Sequence, residues 1–252
     1  MLKIHKFVTS SPEQMEFIIE GCRNPLNSWD RSDSYTTYIE NPDTLNTALF
    51  EFCMGDNDMK LLSSLAKGGS VHAKYRRYMD VMVSITAPLY WWKEFDTYRT
   101  GVTPNPMDIE MNSCSTMHKI HASEFTLDDF SHEHLMTMND DPQCFVWNDE
   151  VKCDPKGDLM QTIKLLNHCR AMYLKTKAKE YWWQLIQLLP STYNQKRMVK
   201  VNYEVLSNIY HSRKNHKLDE WHVVCDWIKE LPYSELITLE FEEDNQDAGT
   251  QN

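Results

Sequence analysis

The chain has 252 residues, 41% of them hydrophobic and 25% charged, and its 26 Lys and Arg against 37 Asp and Glu give a formal net charge of -11. A chain of this length can bury most of its unfolded surface without disulfides, but its acidic balance lacks the basic face with which a general DNA or RNA binder displaces counterions. Its 7 glycines form neither GxGxxG nor GxxxxGK[ST], which argues against Rossmann and P-loop chemistry. The 7 cysteines form no CxxC pair, and there is no signal-peptide pattern or apolar run of membrane-spanning length. These features imply reduced thiols, a cytoplasmic location, no membrane partner and no structural zinc.

Ser11 and Pro12 suit the cap and first position of a helix whose apolar face is Met15, Ile18, Ile19 and Cys22. A polar loop around Trp29 follows. Asp43 is placed to cap a second helix through Leu45, Leu49 and Phe52, and residues 58–67 make a third, ended by Gly68 and Gly69. The run from Met79 to Thr86 alternates like a strand with one polar face, and Pro88 opens a helix rich in aromatics that continues to Arg99. His118, His121, His132 and His134 have spacings that can ligate a metal. No carboxylate or Cys stands at matching short spacing and the stretch reads as loop, so no metal site is assigned.

Phe125 to Phe130 reads as a short amphipathic turn, and turns at residues 140–143 and 154–157 flank the apolar piece 144–147. Asp158 is expected to cap the longest helix, with Met160, Ile163, Leu165 or Leu166, Cys169 and Tyr173 at helical spacing. A further helix over residues 178–189 carries Tyr181, Trp182 and Trp183 and is closed by Pro190. Residues 195–201 alternate as a strand. Asn202 can then cap a helix with Val205, Ile209 and Ser212 on one face and Leu206 and Arg213 on the adjoining one. A last helix over 218–231 has Trp221, Val224 or Cys225, and Ile228 on its inner face. No repeat or linker interrupts the chain, which implies one domain over residues 1–239 and an acidic, disordered tail over 240–252.

The order of a proline-terminated helix, a Ser191-Thr192-Tyr193 turn, a strand ending in Val201-Asn202, a helix with a late Arg213, then His216 and Trp221 resembles the C-terminal half of the flavin-dependent thymidylate synthases, also called thymidylate synthase complementing proteins. The chain looks like a diverged member. In that family the Asn after the strand helps hold the flavin and the late Arg polarises the uracil ring of dUMP. The resemblance therefore assigns those roles to Asn202 and Arg213, and makes His216 a flavin neighbour. The same order of elements is common elsewhere, and an Arg near a helix C-terminus is favoured by the macrodipole alone.

Upstream, the strand ending in Ala87-Pro88 and its helix resemble the approach to the family signature RHRxxSxNExSxRY. Glu94 stands for a Gln directed at the nucleotide, and Thr97-Tyr98-Arg99 for Arg-His-Arg. After an insertion over residues 104–110, Asn112 and Ser115 match the signature's Asn and second Ser, while Ser113, Met117 and His118 replace its Glu, Arg and Tyr. By resemblance the cofactor contacts are Arg99, Asn112, Asn202 and His216, the substrate contacts are Glu94, Ser115 and Arg213, and Arg213 is catalytic. Two anion-binding arginines are lost. Lys74, Arg76, Arg77 and Lys93 are candidates to replace them, although such residues are more often solvated surface charges. Trp182 and Trp183 are candidates to stack on a flavin or base, although such a stripe more often belongs to a core or subunit interface.

The resemblance implies an α+β fold with a central, mostly antiparallel sheet flanked by helices, in a homotetramer whose sites form between subunits. It also implies reductive methylation of dUMP to dTMP, or a related modification of a pyrimidine nucleotide. FAD would be the cofactor, with methylenetetrahydrofolate and NADPH as co-substrates. The alternative is a homologue that binds a nucleotide or partner without flavin chemistry.

Overall fold

The computed structural model describes residues 2–39, 49–99, 110–137, 140, 146–147, 151–152 and 154–240. The first elements are β1 (Lys3–Thr9), α1 (Pro12–Arg23), β2 (Tyr35–Ile39), β3 (Leu49–Cys53), α2 (Asp56–Lys67), β4 (Asp80–Pro88), α3 (Leu89–Phe95) and β5 (Glu110–Ser113). They are followed by β6 (Val146–Trp147), β7 (Val151–Lys152), α4 (Pro155–Thr176), α5 (Lys179–Gln187), β8 (Asn194–Asn202), α6 (Tyr203–Arg213), α7 (Asp219–Lys229) and α8 (Glu235–Thr238). The fold class is α+β with an antiparallel sheet, as expected. The largest sheet has the order β1-β4-β8-β5, and β2-β3 and β6-β7 form separate antiparallel pairs.

The chain divides into two compact units: Met1–Lys6, Ser84–Thr97 and Met111–Val199 in the first; Phe7–Val83, Tyr98–Glu110 and Lys200–Asn252 in the second. The boundary falls inside strands, so β1, β4, β5 and β8 each give residues to both.

In the first unit, α4 and α5 pack together over a core that includes Phe125, Phe130, Ile163, Leu166 and Leu185. The long helix begins earlier than Asp158. Asp154 is the cap, its carboxylate accepting the N–H of Gly157 at 3.1 Å, and Pro155 takes the first helical position. The aromatic helix α3 buries Trp91, Trp92 and Phe95 against one another, and the Trp92 indole N–H donates to the Gln195 carbonyl at 2.9 Å. The Arg197 guanidinium lies 4.3 Å from the centre of the Trp92 ring and donates to Asp96 Oδ1 at 2.9 Å, fastening the turn that follows α3.

In the second unit, α6 packs against α7, α8 and the 3-10 turn Lys74–Arg77. Ser11 caps α1, as the sequence implies, and the structure adds a full capping box with Gln14. Leu49 and Phe52 depart from the expected helix. They belong to β3, where Thr36 faces Phe52 and Tyr38 faces Phe50, and the β-prone aromatic alternation decides the local structure. The proposed cap Asp43 and Leu45 lie outside the described residues, as do most of the 104–110 insertion and everything after Glu240.

The start of α2 depends on a side chain from elsewhere in the unit. Asp33 accepts the N–H groups of Asn57 and Asp58, and a Cβ on Gly55 would fall 2.1 Å from the Asp33 carboxylate, so only glycine fits there. Asp58 in turn accepts from the Arg23 Nε–H at 2.6 Å and from the hydroxyls of Ser32 and Ser34 at 2.7 Å each. No helix among the described residues is long and apolar enough to cross a membrane.

Candidate functional site

The junction of β8 and α6 forms as the sequence implies. Asn202 ends the strand in extended conformation, and its Oδ1 accepts the N–H of Val205 at 3.0 Å. That bond satisfies one of the donors left open at a helix start. Val205, Leu206 and Ile209 are buried, which fixes the rotation of α6, whereas Ser212 is exposed. Arg213, the last residue of the helix, is half-buried.

The Arg213 Nε–H donates to the phenolic oxygen of Tyr98 at 2.7 Å. Its guanidinium carbon lies 5.4 Å from the centre of the Tyr98 ring and 5.0 Å from that of Trp221, within cation–π range of both. The two rings meet edge to face at 5.9 Å, and the His216 ring meets Trp221 at 6.3 Å. Trp221 is fully buried and Tyr98 nearly so. His216 Nδ1 accepts the N–H of Leu218 at 3.2 Å, which places the proton of the neutral ring on Nε2. The second unit thus gathers Arg213, His216, Tyr98 and Trp221 into one cluster.

A cleft of about 1110 Å³ lies in the same unit. Its lining includes Lys74, Arg77, Lys200, His72, Tyr78 and Asn202, with Asp80 beside Lys200 at 3.0 Å. The Arg77 Nη2–H donates to Ser70 Oγ at 3.1 Å, while its buried Nε has no hydrogen-bond partner among the described residues. Arg213 is not among the lining residues. Cys22 also lines the cleft, and burial pushes its thiol up to about 12, which keeps it protonated and inert at neutral pH.

Arg99 closes the 3-10 turn that begins at Asp96, and nothing of its side chain is described. Glu94, Asn112 and Ser115 belong to the first unit. Glu94 is half-buried on α3, and its carbonyl accepts the Thr97 hydroxyl at 2.7 Å. Asn112 is exposed on β5, and Ser115 Oγ accepts the N–H groups of Met117 and Lys119. Lys74 and Lys93 are exposed, but Arg76 is 1% exposed and faces Glu204 at 3.9 Å, so its charge serves the interior rather than the surface. Trp183 is exposed, and the Trp182 indole N–H donates to the Met117 carbonyl at 3.2 Å.

Two contributors escape a sequence reading. Tyr98 looks there only like a lost histidine, whereas its hydroxyl holds Arg213. Lys200 alternates with the buried Val199 and Val201 on β8, the one signal that would have turned it outward.

The fold is similar to that of solved flavin-dependent thymidylate synthases and of a UMP/dUMP methylase. A thymidylate synthase X from Helicobacter pylori, solved with FAD and dUMP, matches with a TM-score of 0.56 at 13% identity over 93% of this chain and 94% of that chain. The UMP/dUMP methylase PolB from Streptomyces cacaoi, bound with 5-Br dUMP, matches with a TM-score of 0.55 at 12% identity over 94% of this chain and 93% of that one. At these identities the likeness is one of fold. No family model matches the sequence, and no curated protein matches it.

Proposed function

We propose that this protein transfers a one-carbon unit to a pyrimidine deoxynucleotide in a flavin-dependent reaction, the methylation of dUMP to dTMP or a related modification of the uracil ring. The observation that carries the proposal is the Arg213 cluster. An always-charged guanidinium with fixed donors, held by Tyr98 and set against two ring faces, suits the stabilisation of negative charge on a uracil carbonyl oxygen. The shared fold supports it, since the two solved proteins bind dUMP and a dUMP analogue.

The cleft beside Asn202 fits FAD by the chemistry of its donors. Lys74, Arg77 and Lys200 would meet a pyrophosphate with charge-assisted hydrogen bonds, the exposed Tyr78 offers a ring for stacking, and Asn202 lines the same cleft with its Oδ1 engaged in the helix cap. Reduced FAD would supply a hydride, with methylenetetrahydrofolate supplying the carbon and NADPH the reducing equivalents. The protein's own work is to bind and orient. Within the second unit Arg213 would polarise the ring and Asn202 and the cations would hold the cofactor, and the resemblance would give Arg99 and His216 further cofactor contacts. For the first unit it is the resemblance alone that gives Asn112 a cofactor role and Glu94 and Ser115 nucleotide roles. No side chain is required as a covalent nucleophile.

Phe17, Leu26, Val71 and Tyr78, all exposed, rim the cleft. Large apolar side chains gathered at one opening suit burial against another subunit, and a cytoplasmic homotetramer with composite sites is part of the proposal.

The deciding experiment is the visible spectrum of purified protein before and after FAD addition and desalting, followed by assay of dTMP formation from dUMP with methylenetetrahydrofolate and NADPH. Retained flavin and product are expected. Protein that retains no flavin yet binds a uridine nucleotide would overturn the flavin-dependent reading in favour of a flavin-free binding role.

A further inference from the structure

Arg213 stands at the end of α6 on a long side chain with several rotatable bonds. Held in one orientation only after ligand arrives, such a side chain would charge its lost freedom to binding, so pre-fixing it raises affinity. Contacts within the second unit do the fixing. The Tyr98 oxygen accepts the Nε–H at 2.7 Å, the Tyr98 ring lies 5.4 Å from the guanidinium carbon, and the Trp221 ring lies 5.0 Å from it. The holders are themselves held: Trp221 is 0% exposed, Tyr98 is 8% exposed, and their rings pack edge to face at 5.9 Å.

We propose that Tyr98 is a positioning residue, whose hydroxyl fixes the Nε edge of Arg213 and so sets the orientation in which the guanidinium meets the uracil ring of a uridine nucleotide. This rests on the functional reading above, and it gives Tyr98, which stands where the resembled signature has a histidine, a new task in this chain. The hydroxyl and the ring have separable parts. The oxygen supplies a directional acceptor, which sets rotation about the last side-chain bonds, whereas the ring face supplies attraction that tolerates a range of rotations.

The test has two arms. In nitrogen-edited proton spectra, the Arg213 Nε–H, assigned by its disappearance in Arg213→Lys, should appear in the wild type as a discrete, slowly exchanging signal. It should broaden or exchange rapidly in Tyr98→Phe, which keeps the ring. A wild-type Nε–H that exchanges as fast as those of exposed arginines would overturn the proposal without any variant. In the second arm, dUMP affinity should fall about three- to tenfold in Tyr98→Phe, the order expected when one rotamer-rich side chain must be ordered on binding. In an Arg213→Lys background the same change should cost less than about twofold.

Equal losses in both backgrounds would show that Tyr98 does not act through Arg213 and would overturn the proposal. Wild-type protein that binds no uridine nucleotide would defeat the functional reading, and the Nε–H arm would still decide whether Tyr98 orients Arg213.

Discussion

The phenolic oxygen of Tyr98 and the Arg213 Nε lie 2.7 Å apart, joining the turn after α3 to the last residue of α6. Removing the guanidinium should therefore cost ligand more than fold. Arg213→Ala is expected to weaken dUMP binding by roughly 30-fold or more, the scale for truncating one partner of a desolvated charged contact, while stability falls by about 1 to 2 kcal/mol through the lost hydrogen bond to Tyr98 and the lost cation–π contacts. Arg213→Lys should recover only part of the affinity, because an ammonium lacks the planar fork. Calorimetric titration with dUMP and a thermal melt check both parts. Unchanged affinity in Arg213→Ala would reject the assignment.

The cleft cations give a prediction with a sign in each direction. Lys74→Ala and Arg77→Ala remove positive charge and should each weaken FAD retention by about 3- to 10-fold, with a smaller difference at high salt because exposed charges are screened. Lys200 is engaged by Asp80 at 3.0 Å, with both side chains substantially exposed. Asp80→Asn releases that cation and removes a nearby negative charge, so it should tighten FAD binding. Dissociation constants measured by flavin fluorescence at two ionic strengths separate these outcomes.

Much of this architecture is legible in the sequence because strong local signals agree. The Ser11-Pro12 start, the Pro88 start, the strand over 195–201 and the Asn202 cap each rest on side-chain chemistry that acts within a few residues. The readings that fail are those where distant residues decide. Leu49 and Phe52 suit a helical face until Tyr35–Ile39 offers them a strand partner. Arg76 reads as surface charge until Glu204, far along the chain, proves to face it. The same holds at the site. Asn202 and Arg213 are visible through the order of elements around them, but the Tyr98 contact spans a long sequence interval that no local pattern encodes.

Asp58 connects stability to pH. Burial alone would raise its carboxyl, but the hydroxyls of Ser34 and Ser32, the Arg23 guanidinium and the Asp33 N–H hold it below the usual carboxylate range. A depressed folded value means that the folded state binds fewer protons in acid than the unfolded chain, whose aspartate titrates near about 3.9. The stabilisation is therefore complete above about pH 4 and is lost as the pH falls through the folded value. Asp58→Asn leaves Arg23, only 4% exposed, without its counter-charge. The variant should lose about 3 kcal/mol at neutral pH, the scale for breaking a buried ion pair, and its urea midpoint should depend less on pH in the acid limb. An acid limb parallel to that of the wild type would refute the role of Asp58.

Asn202 combines two tasks that substitution can separate. Its Oδ1 caps α6 through the N–H of Val205, while the residue also lines the cleft. Serine offers an oxygen that can keep the cap but has no amide donor, whereas alanine loses both. Asn202→Ala should cost about 1 kcal/mol of stability, the usual loss for a helix cap, and should also weaken FAD retention. Asn202→Ser should unfold within a few tenths of a kcal/mol of the wild type, because serine caps about as well as asparagine, yet weaken retention about as much as alanine does. The comparison is a pair of urea titrations and a pair of flavin dissociation constants. If Asn202→Ser holds flavin as the wild type does, the Nδ2 amide makes no contact with the cofactor, and the importance of Asn202 lies in starting the helix that carries Arg213.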